Sequence, residues 1–443
     1  MPTSFGLEWK ETLFGLEPHW SVEPQVENIQ EVVRNHLGIS KNQKCDIELY
    51  KQGAFNKIYI VRLQDACRIM RVSLPVDPSY KTLSEVATLS FVKKISTIPV
   101  PSVIDYDESA ENDICFEWML MEFMPGRTLA DKWRDLSMAN KEKLIKRLAQ
   151  CTAELFRINF PAIGNIYEFG VIQGLTAAKI HSYRPMFEIP RQIWRFGDCD
   201  LQDSDGDTDF AIGPLVSMEI FWGKHLDYRV LRGPYQSSKS WLKARLAFAE
   251  KDSQLVLHSG DEDEVEDANT TLRIITRLEA LLDSEFYPNG ADTSFAMRHD
   301  DLSLHNLLVD DNGELAAVLD WECASSAPLW KVCQLPKLLE SRNRAEPPIK
   351  STYIFDKDDN VNSLYWEHLQ EHELTKLRAV FLEEMREIVP EWVKIYEEST
   401  RKADIDLAIQ QCDSELSLRT ITRWLDNIDA KGEYWSLKEK FMA

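Results

Sequence analysis

FAMRHDDLSLHNLLVDDNGELAAVLDWE, residues 295–322, sets acids and an asparagine among residues suited to strands. The apolar runs 307–309 and 315–319 flank the turn D-D-N-G, an arrangement that signals a β-hairpin. A hairpin fixes where its ends point. Asn306 stands just before the first run and Asp320 just after the second, so both are expected at one open end, with Asp301 in the preceding loop.

Three oxygen-bearing side chains gathered in one place suit a particular chemistry. Magnesium takes carboxylate, amide and phosphate oxygens and keeps several waters, so two protein ligands beside a nucleotide are a normal complement. Asn306 and Asp320 fit that role. A carboxylate near them but off the metal can accept the proton of an attacking hydroxyl, and Asp301 fits the base. The interval from Asp301 to Asn306 is the D-x-x-x-x-N of a kinase catalytic loop, and His299 stands where kinases carry the histidine of H-R-D.

Composition narrows the partners. A chain of 443 residues has room for two or three domains or for two lobes, and 13 Trp and 19 Phe among 44% hydrophobic residues supply a large core. The formal charge of −22, from 73 acids against 51 bases, argues against nucleic acid, whose phosphates call for clustered Lys and Arg. The same acidity leaves room for a cationic, amine-bearing small molecule. Eight scattered cysteines without a C-x-x-C pair read as reduced thiols of a cytoplasmic protein. The opening MPTSFGLEWKETLFGLEPHW interrupts every apolar stretch with charge, so neither a signal peptide nor a membrane span is expected.

Short β-type stretches run from 45 to 73, in CDIELYKQGAFNKIYIVRL and ACRIMRVSL, followed by a helix in KTLSEVATLSFVKKI and a further strand in CFEWMLMEFM that ends at Pro125 and Gly126. Beyond Gly126 the spacing turns helical. NKEKLIKRLAQCTAELFRI, NTTLRIITRLEALLDSEF and HELTKLRAVFLEEMREI each repeat apolar residues at three and four. Residues from about 160 to 268 mix Gly-Pro turns, one helix start and two acidic runs, and read as an insertion. The acidic runs, DCDLQDSDGDTDF and HSGDEDEVED, fit no calcium-loop frame and are expected to be solvated loops.

In HDDLSLHNLLVD and LDWE the chain resembles the aminoglycoside phosphotransferase and choline kinase-like branch of the protein-kinase-like fold, where H-G-D-x-x-x-x-N and D-[WFL]-[ED] are common. The segments LMEFMPGRTL, SEVATL, AIGPL and RGPYQSSKSWL look like those of fungal members of uncharacterised substrate. The resemblance covers about residues 45–340. It implies an α+β, bilobal protein-kinase-like fold: an N-terminal extension 1–44, a small antiparallel β lobe 45–125, and a larger, mostly α-helical lobe 126–443 that carries the insertion. It also implies ATP- and Mg2+-dependent transfer of the γ-phosphoryl group to a hydroxyl of a small molecule.

Several positions depart from the family's pattern. Asp300 follows His299 where Gly is common, and Asp301 is preferred as base because only it has the proper offset to Asn306. Gly53 is the single glycine of the expected phosphate loop KQGAFNKIY. The strand lysine is missing, and Arg71 stands at its place with Glu85 as the helix acid that would pair with it. Backbone groups of Glu122, Phe123 and Met124 are the expected adenine contacts, and His299 is expected to support the loop by hydrogen bonding. His305 and Glu322 receive no role. Two other readings stay open. A protein kinase is disfavoured by Trp321 and Glu322 after Asp320 and by the lack of a later A-P-E. A catalytically weak or inactive nucleotide-binding module is allowed by the sparse loop and the missing lysine.

Overall fold

In the computed structural model, which describes residues 5–12, 15–172, 194–195, 210–286, 294–358 and 360–442, the chain forms two compact units. The first takes its described residues from Met1–Pro125, Phe160–Tyr235 and Leu319–Ser326. It opens with a hairpin of β1 (Leu7–Thr12) and β2 (Gly15–Trp20), followed by α1 (Val26–Leu37). A five-stranded antiparallel sheet comes next, built from β3 (Cys45–Gln52), β4 (Asn56–Leu63), β5 (Cys67–Ser73), β6 (Val103–Asp107) and β7 (Glu117–Glu122) in the order β3-β4-β5-β7-β6. The helix α2 (Tyr80–Ile95) connects β5 to β6.

Side chains alternate along a strand, and that alternation sorts β5. Met70 and Val72 join Val61, Trp118 and Leu120 in one core with Ile29, Val32 and Val33 of α1. Arg71, between them, therefore turns to the opposite face, where the acid of α2 meets it. That helix is buried along most of its length, from Lys81 to Val92, so its start must be satisfied from within the protein. Ser79 precedes it at φ +67 without a side-chain cap. Instead Glu117 of β7 accepts from Ser79 N at 2.8 Å and from Thr82 Oγ1 at 2.5 Å. Burial pushes the Glu117 carboxyl up to about 7 against the pull of these two bonds.

The second unit takes its described residues from Gly126–Asn159, Gln236–Val318 and Ala327–Ala443. Gly126 opens it at φ +127, where an added Cβ would lie 2.9 Å from Val309 O, so the close approach to the hairpin requires glycine. The expected hairpin is present: Leu307–Val309 pairs antiparallel with Leu315–Val318, Leu307 opposite Val318. Helix Met138–Phe156 packs along Ser363–Ile388. Lys141 of the former meets Glu373 of the latter at 2.7 Å, and Trp133 Nε1 donates to the same carboxylate at 2.9 Å. At the buried Asp406, carboxylate oxygens meet Arg245 from helix Ser238–Ser259 and Lys331.

One expectation is corrected. The run HSGDEDEVED is not a solvated loop, because helix Glu262–Glu285 begins within it, ahead of the expected start at Asn269. Asp261 and Glu264 form a reciprocal capping box, and Glu262, Asp263 and Glu264 fill the first turn, where negative charge favours the helix dipole. The other run, DCDLQDSDGDTDF, lies outside the described residues except for Phe210. Tyr80–Ile95, Glu117–Glu122 and Met138–Phe156 fall on their expected segments, and the helix expected from His372 begins earlier, at Ser363, and runs to Ile388. The result is an α+β architecture, with an antiparallel β-rich unit and a mostly helical one, as the resemblance implies. Among the described residues no helix is long and apolar enough to cross a membrane.

Candidate active site

In the helical unit, strand Phe295–Arg298 delivers the chain into a loop that ends at Asn306, immediately before the hairpin. The loop is held by its own polar groups. The Asp301 backbone N–H donates to Nδ1 of the buried His299 at 3.2 Å, and Asn306 Nδ2 donates to both Asp301 O and Asp301 Oδ2 at 3.0 Å. The two neighbouring acids are thereby separated. Asp301 faces Asn306, whereas Asp300 is held by Arg298 Nε at 3.1 Å, and Arg298 Nη1 is itself fixed on Lys331 O at 2.6 Å. Because the Asn306 nitrogen is spent on Asp301, its amide oxygen is the atom left for a cation.

In the β-rich unit a second group of charges surrounds Arg71. Its guanidinium bonds Glu85 Oε1 of α2 at 2.5 Å, bonds Glu322 Oε2, and lies 3.8 Å from Asp320 Oδ1. Lys81 stands one turn before Glu85 on the same helix, so the two share a face. Its ammonium reaches Glu322 Oε2 at 2.9 Å and Asn56 Oδ1 at 2.7 Å. Asn56 Nδ2 donates to Glu322 Oε2 as well, at 3.0 Å. Burial would push Glu322 up, but Lys81, Arg71 and the Asn56 bond more than offset it and hold the carboxyl at about 2.

Two cations thus meet three carboxylates, and Asp320 is the one left over. Burial and the nearby Glu322 raise its carboxyl to about 7 despite Arg71, a rise that solvent tempers because the side chain stays 39% exposed. Its backbone sits at φ +65, a conformation few residues other than glycine adopt and one that collects at ligand sites. An exposed hard oxygen in a site short of positive charge fits a divalent cation. Among the described residues no group of three or more His, Cys, Asp and Glu could hold a metal.

The remaining expected positions belong to the β-rich unit too. Glu122 ends β7 with its N–H donated to Ser102 O at 2.9 Å and its carboxylate accepting from Ser102 Oγ at 2.8 Å. Phe123 and Met124 follow the strand end. Gly53 N donates to Asn56 O at 2.9 Å, and an added Cβ would meet nothing closer than 3.9 Å, so the resting loop does not itself demand glycine there. The loop is fixed by Phe55, which is buried with its ring 5.3 Å from Phe221 and 6.3 Å from Trp222. Trp9 of β1 packs on Trp222 in turn, at 5.5 Å.

Sequence reasoning missed Lys81, Asn56 and Glu322 in this network. A signal for one of them was present: a lysine four residues ahead of Glu85 in one helix belongs on the face of that acid. Asn56 and Glu322, 266 positions apart, come together only through the fold.

Residues 46–331, more than half of the chain, match the sequence model of the phosphotransferase enzyme family. An Aspergillus fumigatus subtelomeric hrmA-associated cluster protein is 26% identical over 322 residues, covering 64% of this chain and 58% of that protein. The altered inheritance of mitochondria protein 9 of Eremothecium gossypii is 22% identical over 395 residues, covering 76% and 60%. The chain spans about three fifths of the length of these curated relatives. Among solved structures, a thermostable mutant of aminoglycoside phosphotransferase APH(4)-Ia, in its apo form, is similar at a TM-score of 0.45 and 12% identity, with 90% and 98% of the two chains covered.

Proposed function

Because this chain belongs to the phosphotransferase enzyme family, we propose that it transfers the γ-phosphoryl group of ATP, in the presence of Mg2+, to a hydroxyl of a small molecule. Asp301 takes the proton of the acceptor hydroxyl while the acceptor oxygen bonds to the γ-phosphorus and the bond to the departing ADP breaks. Asn306 orients Asp301 through its amide nitrogen, and its amide oxygen, with Asp320, would hold the metal. Bound there, Mg2+ would draw charge from the phosphates. Arg71, braced by Glu85, takes the place of the strand lysine toward the inner phosphates. The loop around Gly53 covers them, and Phe123 and Met124 beyond Glu122 receive the adenine. His299 keeps the loop in shape by accepting the Asp301 N–H.

The observation that carries this reading is the buried bond between Arg71 and Glu85 at 2.5 Å. The strand cation is paired from the following helix, as one serving phosphates would be, and lies 3.8 Å from Asp320. We assign the acceptor side of the site to the insertion, about residues 160–268, and place no name on the acceptor, because fold does not fix substrate. The test is calorimetric titration with ATP, with and without Mg2+, followed in the same sample by phosphate transfer to a panel of hydroxyl-bearing amines and sugars. Magnesium-dependent binding with transfer is expected. Absence of nucleotide binding overturns the reading.

A further inference from the structure

The loop acid has a cationic neighbour that lies outside the motif. Lys337 opens a short 3-10 turn, Lys337–Leu339, and its ammonium lies 3.1 Å from Asp301 Oδ1. The turn is built onto the loop. Leu338 N donates to Leu302 O at 2.9 Å, and Leu338 and Leu339 are both buried, so the backbone that carries Lys337 is fixed relative to the residue after Asp301.

The alignment of the pair is informative. Asp301 Oδ1 is sheltered from solvent and accepts no hydrogen bond among the described residues, although the ammonium is close. The ammonium therefore stands beside the carboxylate without satisfying that oxygen. With 60% of the side chain exposed, such an ion pair adds about 0–1 kcal/mol at most to stability, which is little return for ordering a flexible side chain. A different benefit is available. A phosphoryl group in transfer spreads negative charge over its equatorial oxygens, and a base carboxylate beside it repels that charge unless a cation stands between them.

We propose that Lys337 is a further catalytic residue, resting against Asp301 and contacting the transferring phosphoryl group of ATP. This rests on the phosphotransferase reading above. In the step, the acceptor O–H bond breaks, its proton passes to Asp301, the new O–P bond forms and the bond to ADP breaks. Lys337 stays protonated throughout and neutralises charge on the moving group. Its chemistry distinguishes a nucleoside triphosphate from a diphosphate.

The test compares the full-length wild type with Lys337→Gln and Lys337→Arg for calorimetric binding of MgATP and of MgADP, and for phosphate release from ATP with water as acceptor. Lys337→Gln is expected to keep the wild-type melting temperature, to weaken MgATP while leaving MgADP unchanged, and to lower phosphate release by about 100-fold. Lys337→Arg is expected to recover most of both. Equal weakening of ATP and ADP, or a Gln variant indistinguishable from a wild type that binds and turns over MgATP, overturns the role of Lys337 alone. A wild type that neither binds nor hydrolyses MgATP overturns the phosphotransferase reading along with it.

Discussion

Asn306 grips Asp301 twice, its amide nitrogen donating at 3.0 Å to the backbone oxygen and at 3.0 Å to Oδ2. One side chain thus fixes both where the loop acid lies and which way its carboxylate faces. A base held in this manner loses little in reorganisation when an acceptor arrives.

Asp301→Asn is therefore expected to lower turnover by roughly two to four orders of magnitude, the usual worth of a positioned base. MgATP affinity should stay close to that of the wild type. Phosphate release and calorimetry on the same preparation check both halves, and undiminished turnover would remove Asp301 from the role.

Asp320→Ala acts on a different property. The exposed carboxylate that the edge of Arg71 approaches, at 3.8 Å, disappears, so nucleotide binding should weaken and lose its dependence on Mg2+. Titrations with and without the metal give the answer, and a variant that keeps the wild-type metal dependence excludes Asp320 as a ligand.

Arg71 carries structure and site together, so its substitutions must be chosen to part them. Arg71→Ala leaves Glu85 and Glu322 buried with less compensation, and breaking a buried pair in this way costs about 3–5 kcal/mol. Arg71→Lys keeps the charge but loses the two-pronged geometry. It is expected to remain folded in a urea titration while its nucleotide dissociation constant rises. An unchanged dissociation constant returns Arg71 to a purely structural part.

Asp406 supplies a prediction independent of any nucleotide. Burial pushes its carboxyl up, but Lys331 and Arg245 more than offset that and hold it well below the usual carboxylate range. The sign follows from linkage: a lowered folded value contributes stability above the unfolded value of about 3.9, and that stability is lost as pH falls below it. Asp406→Asn should be destabilised at pH 7 by about 3–5 kcal/mol, with the gap to the wild type closing toward pH 2 in urea titrations.

Glu117 runs the other way. Its carboxyl is raised to about 7, so its contribution is fully present below the unfolded value of about 4.3 and is lost as pH rises through 7. Glu117→Gln retains an oxygen for the Ser79 N–H and can donate to Thr82 Oγ1. Its unfolding free energy should consequently fall less than that of the wild type between pH 5 and 8.

The pieces legible in sequence were those encoded within a few residues. The D-D-N-G turn and the Asp301 to Asn306 interval are of that kind, and Arg71 and Glu85, paired in sequence only through the family resemblance, meet at 2.5 Å. Lys337 and Asn56 were not legible, because each reaches its partner through a tertiary approach that no local pattern records. The acidic run at 258–267 was misread for a related reason. Charge density suggested solvent, whereas Asp261 and Glu264 use that charge to start a helix.

Phe55 has a last consequence. A flexible cover over a phosphate site must surrender motion when its ligand arrives, at about 1–2 kcal/mol for each residue ordered. Here the Phe55 ring packs against Phe221 and Trp222 within the fold, so for a loop proposed to cover phosphates that loss would fall on folding rather than on binding. Edge-to-face ring contacts hold this loop in a settled shape.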